Sequence, residues 1–146
     1  MIRSYQGTDK AKLIDLLRMN TPKYFAPAEE EDFVQYLIKH ESEHYVFEDT
    51  DGTILGCAGG NWYPESTDGR VAWFIVDPQA QGRGVGMALL QHCLEVLRSN
   101  PGTTKVIVRT SQFAEGFFAK GGFTFQYREE DYWAPGYDLV LMDLEC

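Results

Sequence analysis

Basic residues are scarce in this chain. Thirteen Lys and Arg stand against 22 Asp and Glu, a net charge of −9. No basic stripe is visible, which argues against nucleic-acid phosphate as a partner. No apolar run approaches the roughly 20 residues of a membrane-spanning helix. Cysteine is sparse, and Cys57, Cys93 and Cys146 are too scattered for a disulfide framework or a zinc site. Met1-Ile2-Arg3-Ser4-Tyr5 carries no signal-peptide pattern, so the expectation is a reducing cytoplasm, with Cys146 an exposed thiol. Internal repeats, low-complexity tracts and linkers are absent as well. What remains is a 44% hydrophobic, 14% aromatic chain of 146 residues. That suits one domain over residues 1–146 with a packed core rather than disorder.

The stretch Val76-Asp77-Pro78-Gln79-Ala80-Gln81-Gly82-Arg83-Gly84-Val85-Gly86-Met87 organises the rest. Arg70 to Val76 is β-branched and aromatic and stops at Asp77-Pro78, a turn signal. From Val85 the apolar residues fall at helical spacing: Val85, Ala88, Leu89, Leu94 and Leu97. Gly82, Gly84 and Gly86 leave the backbone open to a ligand. The unpaired N–H groups and dipole of a helix start suit phosphate or pyrophosphate. A dinucleotide fingerprint would need glycine three residues after Gly84, where Met87 stands, and a P-loop would need Lys-Ser or Lys-Thr. In an acidic chain an anionic ligand needs local donors, namely the loop N–H groups, Arg83 and Lys120. The same acidity favours a cationic amine.

In chain order, Ile2 to Tyr5 reads as a strand. A helix capped by Thr8 follows to about Met19, and Asn20-Thr21-Pro22 ends it. Lys23 to Pro27 is an aromatic connector, and a second helix spans about Ala28 to His40. Strands follow at His44–Glu48, Ile54–Trp62 and Arg70–Val76, with a hairpin turn at Asp51-Gly52. A third helix runs from about Gly84 to Arg98 and a strand from Lys105 to Thr110. A short helix from Phe113 to Lys120 ends at Gly121-Gly122. Phe123–Arg128 is strand-like, Glu129–Gly136 an aromatic acidic loop, and Leu139–Leu144 the last strand. The fold class is α/β, a mixed central sheet of six to seven strands flanked by about four helices.

Gln81-x-x-Gly84-x-Gly86 after Val76-Asp77-Pro78 resembles the acetyl-coenzyme A binding motif of the GNAT superfamily of N-acetyltransferases. Ala114-Glu115-Gly116-Phe117-Phe118-Ala119-Lys120-Gly121-Gly122-Phe123 is similar to that family's Ala-x-x-Phe-Tyr-x-Lys-x-Gly-Phe segment. The element order is also that of the family, so the resemblance spans the chain. It implies acetyl-coenzyme A as co-substrate, held by Ile75, Val76, Gln81, Gly82, Arg83, Gly84, Val85, Gly86, Met87, Phe118 and Lys120. It also implies that the Arg70–Val76 strand splays from Lys105–Thr110 to admit the pantetheine arm. A backbone N–H at Val76 would then polarise the thioester carbonyl, and an acceptor amine would attack directly.

Two features depart from the family. Its frequent glutamate on the strand ending at Val76 is missing, which leaves Glu29, Glu30, Glu65 and Asp131 as candidate bases. Its usual tyrosine, which protonates the departing thiolate, falls at Phe118; Ser111 or Tyr132 are candidate substitutes. Trp62, Tyr63, Tyr132, Trp133, Tyr24 and Phe25 are candidates for lining an acceptor pocket or for packing sheet ends. Ser111-Gln112 lies where an open sheet presents ligands. His40 and His44 read as a solvated turn, His92 as exposed and Trp73 as core. The expected acceptor is a small-molecule amine or a protein amine, with no nucleic acid, no membrane, and a monomer or homodimer. A coenzyme A-binding sensor that has lost catalysis is the alternative, and a nucleotide-binding domain a third.

Overall fold

A computed structural model describes residues 1–146. Its elements are β1 (Ile2–Ser4), α1 (Lys10–Met19), α2 (Glu29–Lys39), β2 (His44–Glu48), β3 (Ile54–Trp62), β4 (Asp68–Val76), α3 (Val85–Arg98), β5 (Lys105–Thr110), α4 (Glu115–Lys120), β6 (Thr124–Ala134) and β7 (Tyr137–Glu145). The strands form one seven-stranded sheet in the order β1-β2-β3-β4-β5-β7-β6. Only β4 and β5 run parallel. The crossover between them is α3, as a parallel pair requires. The architecture is the mixed α/β sheet with four helices that the sequence implies.

Two apolar layers sandwich the sheet. Leu89, Leu90, Cys93, Leu94 and Leu97 of α3 meet Val71, Val106, Val108, Val140 and Met142 on one face. Leu13, Leu16 and Leu17 of α1 and Phe33, Tyr36 and Leu37 of α2 cover Val46, Cys57 and Ile75 on the other. Alternation along the strands makes this possible, since neighbours such as Cys57 and Ala58 serve opposite layers.

The local differences from expectation have physical causes. Asp9, not Thr8, organises the start of α1, because its carboxylate takes the Gln6 N–H (2.9 Å) and both terminal nitrogens of Arg3. The charged run after Arg128 is no loop. It continues β6 to Ala134 as the outermost strand, irregular in register between Glu129 and Ala134. Exposure along nearly the whole of β6 removes the apolar alternation that would have betrayed it. His44 is not solvated but wholly buried among Tyr5, Phe33 and Tyr36, and burial pushes it down to about 3, so it stays neutral. His92 packs half-buried against Tyr45, ring centres 4.6 Å apart, instead of facing water.

Asn20 ties the two halves of the fold together. Its buried amide donates to Leu16 O (2.8 Å) and, across the layers, to Val76 O at the end of β4 (3.1 Å). Its backbone carbonyl accepts from Tyr24 and Phe25, which shapes the α1–α2 connector. Asn20→Ala strands a buried carbonyl and is expected to cost about 1–3 kcal/mol. The check is a lower urea midpoint at unchanged m-value.

Candidate active site

The site begins with an extra residue. Between the Cys57–Ile75 and Gly59–Ala72 pairs, Trp73 and Phe74 of β4 oppose Ala58 alone. This is a β-bulge. Trp73 takes a φ of +48°, a conformation that bulky side chains rarely adopt. It is held there by Phe33 (ring centres 4.9 Å apart) and by Phe25, stacked at 6.0 Å. Pairing of β4 with β5 ends at Val71–Val108, just before the bulge. Past that point the strands part, and a cavity of about 660 Å³ opens between them.

The exposed edge of β4 faces this gap. Asp77 N–H donates to Leu55 O, which makes Leu55–Asp77 a hydrogen-bonded pair; Gly56–Val76, one step along, is then a non-bonded pair. The N–H of Val76 is therefore turned away from β3, towards the gap. Its carbonyl, pointing the same way, is the one Asn20 holds. Ile75 is buried beneath, and both residues line the cavity.

The glycine turn closes one end. Gly82 (φ +84°) and Gly84 (φ +81°) have open space around them, so conformation rather than room calls for glycine there. At Gly86 room decides, because a Cβ would come within 3.2 Å of the Phe117 ring. The first α-helical bond of α3 runs from Ala88 N–H to Gly84 O (3.0 Å). The N–H groups of Val85, Gly86 and Met87 consequently have no carbonyl one turn back. Together with the dipole they make an anion-binding end. Gln81, Gly82, Gly84, Val85, Gly86 and Met87 all line the cavity. Arg83 and Lys120 do not: Arg83 leans on Asp49 (3.4 Å), and Lys120 is exposed at the end of α4.

Where a tyrosine was the expected acid, Phe118 sits 2% exposed among Phe74, Phe117 and Phe123. This part of the wall offers rings and no hydroxyl. Ser111, at the end of β5, does line the cavity. Its Oγ accepts from Phe113 N–H (3.3 Å), which leaves the hydroxyl proton free to donate. Tyr132 stands off the wall in β6, 43% exposed, its hydroxyl taking a bond from Arg109 (2.6 Å). Trp133 lines the wall instead and donates to Thr110 O. Gln112 is occupied in structure, bonding Gly136 O and Asp138 N–H to fasten the β6–β7 turn.

The opposite end is lined by Tyr24, Phe25, Glu29, Tyr63, Arg70 and Trp73. Of the four carboxylates singled out, only Glu29 reaches the cavity. Glu30 pairs with Arg18, Glu65 is exposed, and Asp131 accepts from Gly136 N–H in the β6–β7 turn. Glu29 accepts the Ala26 N–H (2.7 Å). Burial, aided by the charge of Asp32, nevertheless raises it above the ordinary glutamate value, against the pull of that bond. Sequence reasoning missed the network beside it: Glu43–His40–Arg70–Asn61–Tyr36. The available signal was the hairpin itself, since Asn61 and Arg70 are a direct cross-strand pair.

The acetyltransferase (GNAT) family model matches residues 10–123 of the chain. The chain belongs to that family. The donor that the family resemblance implies is acetyl-coenzyme A. The unpaired N–H groups of α3, the free β4 edge and the apolar wall fit its pyrophosphate, pantetheine and acetyl ends.

Among relatives of this GNAT protein is an amino-acid acetyltransferase of Neisseria meningitidis serogroup B, 34% identical over 97 residues, 66% of this chain and 21% of the relative. A second, from Ralstonia nicotianae, is 33% identical over 60% of this chain and 19% of its own length. The chain thus spans about a fifth of the curated relatives it matches. In fold it is similar to N-acetylglutamate synthase of Neisseria gonorrhoeae, solved with coenzyme A and N-acetyl-glutamate (TM-score 0.77, 23% identity, 99% of this chain and 34% of that one). It is also similar to Ard1 of Thermoplasma volcanium (TM-score 0.83, 19% identity, 99% and 96%).

Coenzyme A at 100 times its dissociation constant is expected to stabilise the protein by about 2.7 kcal/mol. Gly84→Glu adds an unfavourable backbone conformation and a carboxylate at the anion-binding end. A thermal melt should show the coenzyme A shift abolished in this variant.

Proposed function

We propose that this protein acetylates the amine of a small molecule that enters the cavity from the α1–α2 side, with Glu29 as general base. The observation that carries this reading is a bridge across the gap. Tyr137 hydroxyl donates to Pro22 O (2.6 Å), joining the β6–β7 turn to the α1–α2 connector. Phe113 packs edge-on between Tyr24 (6.4 Å) and Tyr137 (5.9 Å). A polypeptide acceptor needs an open groove, and this bridge spans the place where one would run. The name of the Neisseria relatives points the same way, to a small acceptor.

Acetyl-coenzyme A supplies an activated thioester when bound. The Val76 N–H, turned into the gap, is placed to donate to the oxygen on which negative charge develops. An alkylammonium of pKa near 10 is neutral in only about one molecule in a few thousand at pH 7. The raised pKa of Glu29 makes it a better proton acceptor than an exposed glutamate, and its place on the wall gives it access. Ser111, on the cavity wall with its hydroxyl proton free, is our candidate to hydrogen-bond the departing thiolate. Tyr132 would have to swing from Arg109 to do so.

Glu29→Gln is expected to lower kcat by about 10²–10⁴-fold. The sign of the pH dependence follows from its protonation. Activity needs the carboxylate, so it falls as pH drops through the raised Glu29 value, and that acid limb should vanish in the variant's pH–rate profile. Ser111→Ala should cost about 10–100-fold in kcat, the worth of a hydrogen bond to a charged group. Steady-state kinetics beside Tyr132→Phe decides between the two hydroxyls, and a larger loss in the tyrosine variant would return the role to Tyr132.

A further inference from the structure

In a chain of 22 acidic residues an arginine without a carboxylate partner is conspicuous. Arg3 pairs with Asp9 and Glu48, Arg18 with Glu30, Arg83 with Asp49, and Arg128 with Glu115 and Asp138. Arg98 is exposed at the end of α3, where the helix dipole favours a cation. The remaining two, Arg70 and Arg109, line the cavity and pair with no carboxylate.

Arg70 is the more completely built. Its Nε–H donates to Asn61 Oδ1, and the fully buried Asn61 amide donates in turn to the Tyr36 hydroxyl. Its Nη2 reaches His40 Nε2 at 3.4 Å, and Glu43 stands behind that ring on Nδ1 (2.9 Å). A Glu43 carboxylate that accepts the Nδ1 proton leaves Nε2 as an acceptor facing the guanidinium. The guanidinium also lies over the Tyr36 and Tyr63 rings, at 5.7 and 5.4 Å. Asn61, His40 and the two rings fix its plane, yet its Nη1 hydrogens have no partner in the chain. A guanidinium plane fixed in this way, with Nη1 free and a second Nη2 hydrogen beside it, suits a small oxyanion such as a carboxylate.

We infer that the acceptor carries a carboxylate beside its amine, an amino acid rather than a polyamine, an aminoglycoside or a simple alkylamine, and that Arg70 holds that carboxylate. This rests on the reading of the cavity as the acceptor site of an acetyltransferase. The cavity then presents complementary charges to a zwitterion: Glu29 for the ammonium and Arg70 for the carboxylate. Arg109, exposed and flanked by Tyr132 and Trp133 (5.2 and 5.4 Å), adds positive potential at the rim. A polyamine would meet two cations and one carboxylate.

The test measures thiol release from acetyl-coenzyme A with the common α-amino acids, their decarboxylated amines and their carboxamides. Wild type, Arg70→Gln and Arg109→Gln are compared, each first shown to retain the coenzyme A melting shift. Tryptophan fluorescence with coenzyme A present reports acceptor binding independently of transfer. Wild type is expected to favour at least one amino acid over its decarboxylated and amidated partners by about 100-fold or more in kcat/KM. Arg70→Gln should erase that preference mainly through KM. Equal use of amine and amino acid by wild type overturns the inference while leaving acetyl transfer intact. So does a preference lost in Arg109→Gln but kept in Arg70→Gln. Arg70-dependent binding of amino acids without any transfer would sustain the inference and sink the transferase reading, and absence of both binding and transfer would sink the two together.

Discussion

The structure depends on one irregularity, the bulge at Trp73–Phe74. A regular β4 would go on pairing with β5 past Val71, and no gap would exist. The bulge puts Ala72 and Trp73 on the α1–α2 side in succession, and returns Phe74 to the α3 side. A tryptophan at positive φ costs on the order of 1–3 kcal/mol. Offset contacts with Phe33 and Phe25 return a comparable amount, about 0.5–1.5 kcal/mol for each aromatic pair beyond area burial. The strain is thus borne by the same residues that shape the acceptor connector. Helix α2 and the connector hold the sheet open, and the open sheet gives them a cavity to line.

Charge is the second constraint. A net charge of −9 opposes a polyanionic donor at long range. The molecule answers with uncharged donors, the unpaired N–H groups of α3 and β4, which need no counter-ion and are fixed by the backbone. The two arginines on the cavity wall that lack a carboxylate partner stand elsewhere, at the opposite end and rim. In the proposed reading, donor and acceptor are recognised by different physics in one cavity: backbone dipoles at one end, a carboxylate and a guanidinium at the other.

The parts legible in the sequence were those with local causes. Turn glycines, helical spacing and β-branched runs are properties of a few consecutive residues, so the element order and the glycine turn could be read before the fold was seen, whereas the parting strands followed only from the family resemblance. The parts that escaped depend on register. Whether Glu29, Glu30, Glu65 or Asp131 faces the cavity is decided by how the connector docks, through Asn20 on Val76 and Phe25 on Trp73, contacts between segments some 50 residues apart. Arg70 gained meaning only from Asn61 across the hairpin and His40 from α2. His44 looked solvated beside Glu41 and Glu43, because burial by α2 leaves no mark on neighbouring residues.

The two departures from the family pattern also fit together. Proton chemistry in this reaction is lopsided. An amine of pKa near 10 must lose a proton before it can attack, whereas a thiol of pKa near 8.5 is a tolerable leaving group with little help. A side chain is therefore worth more on the amine side. In the proposed mechanism the carboxylate stands not on β4, where Arg70 to Val76 holds none, but at the start of α2, where burial raises the basicity of Glu29. On the thiol side Phe118 has joined Phe74, Phe117 and Phe123 in a ring cluster that packs α4 onto the sheet. A tyrosine hydroxyl there would need a partner among those rings. Its loss favours packing, and the step left without the family's tyrosine is the one that needs an acid least.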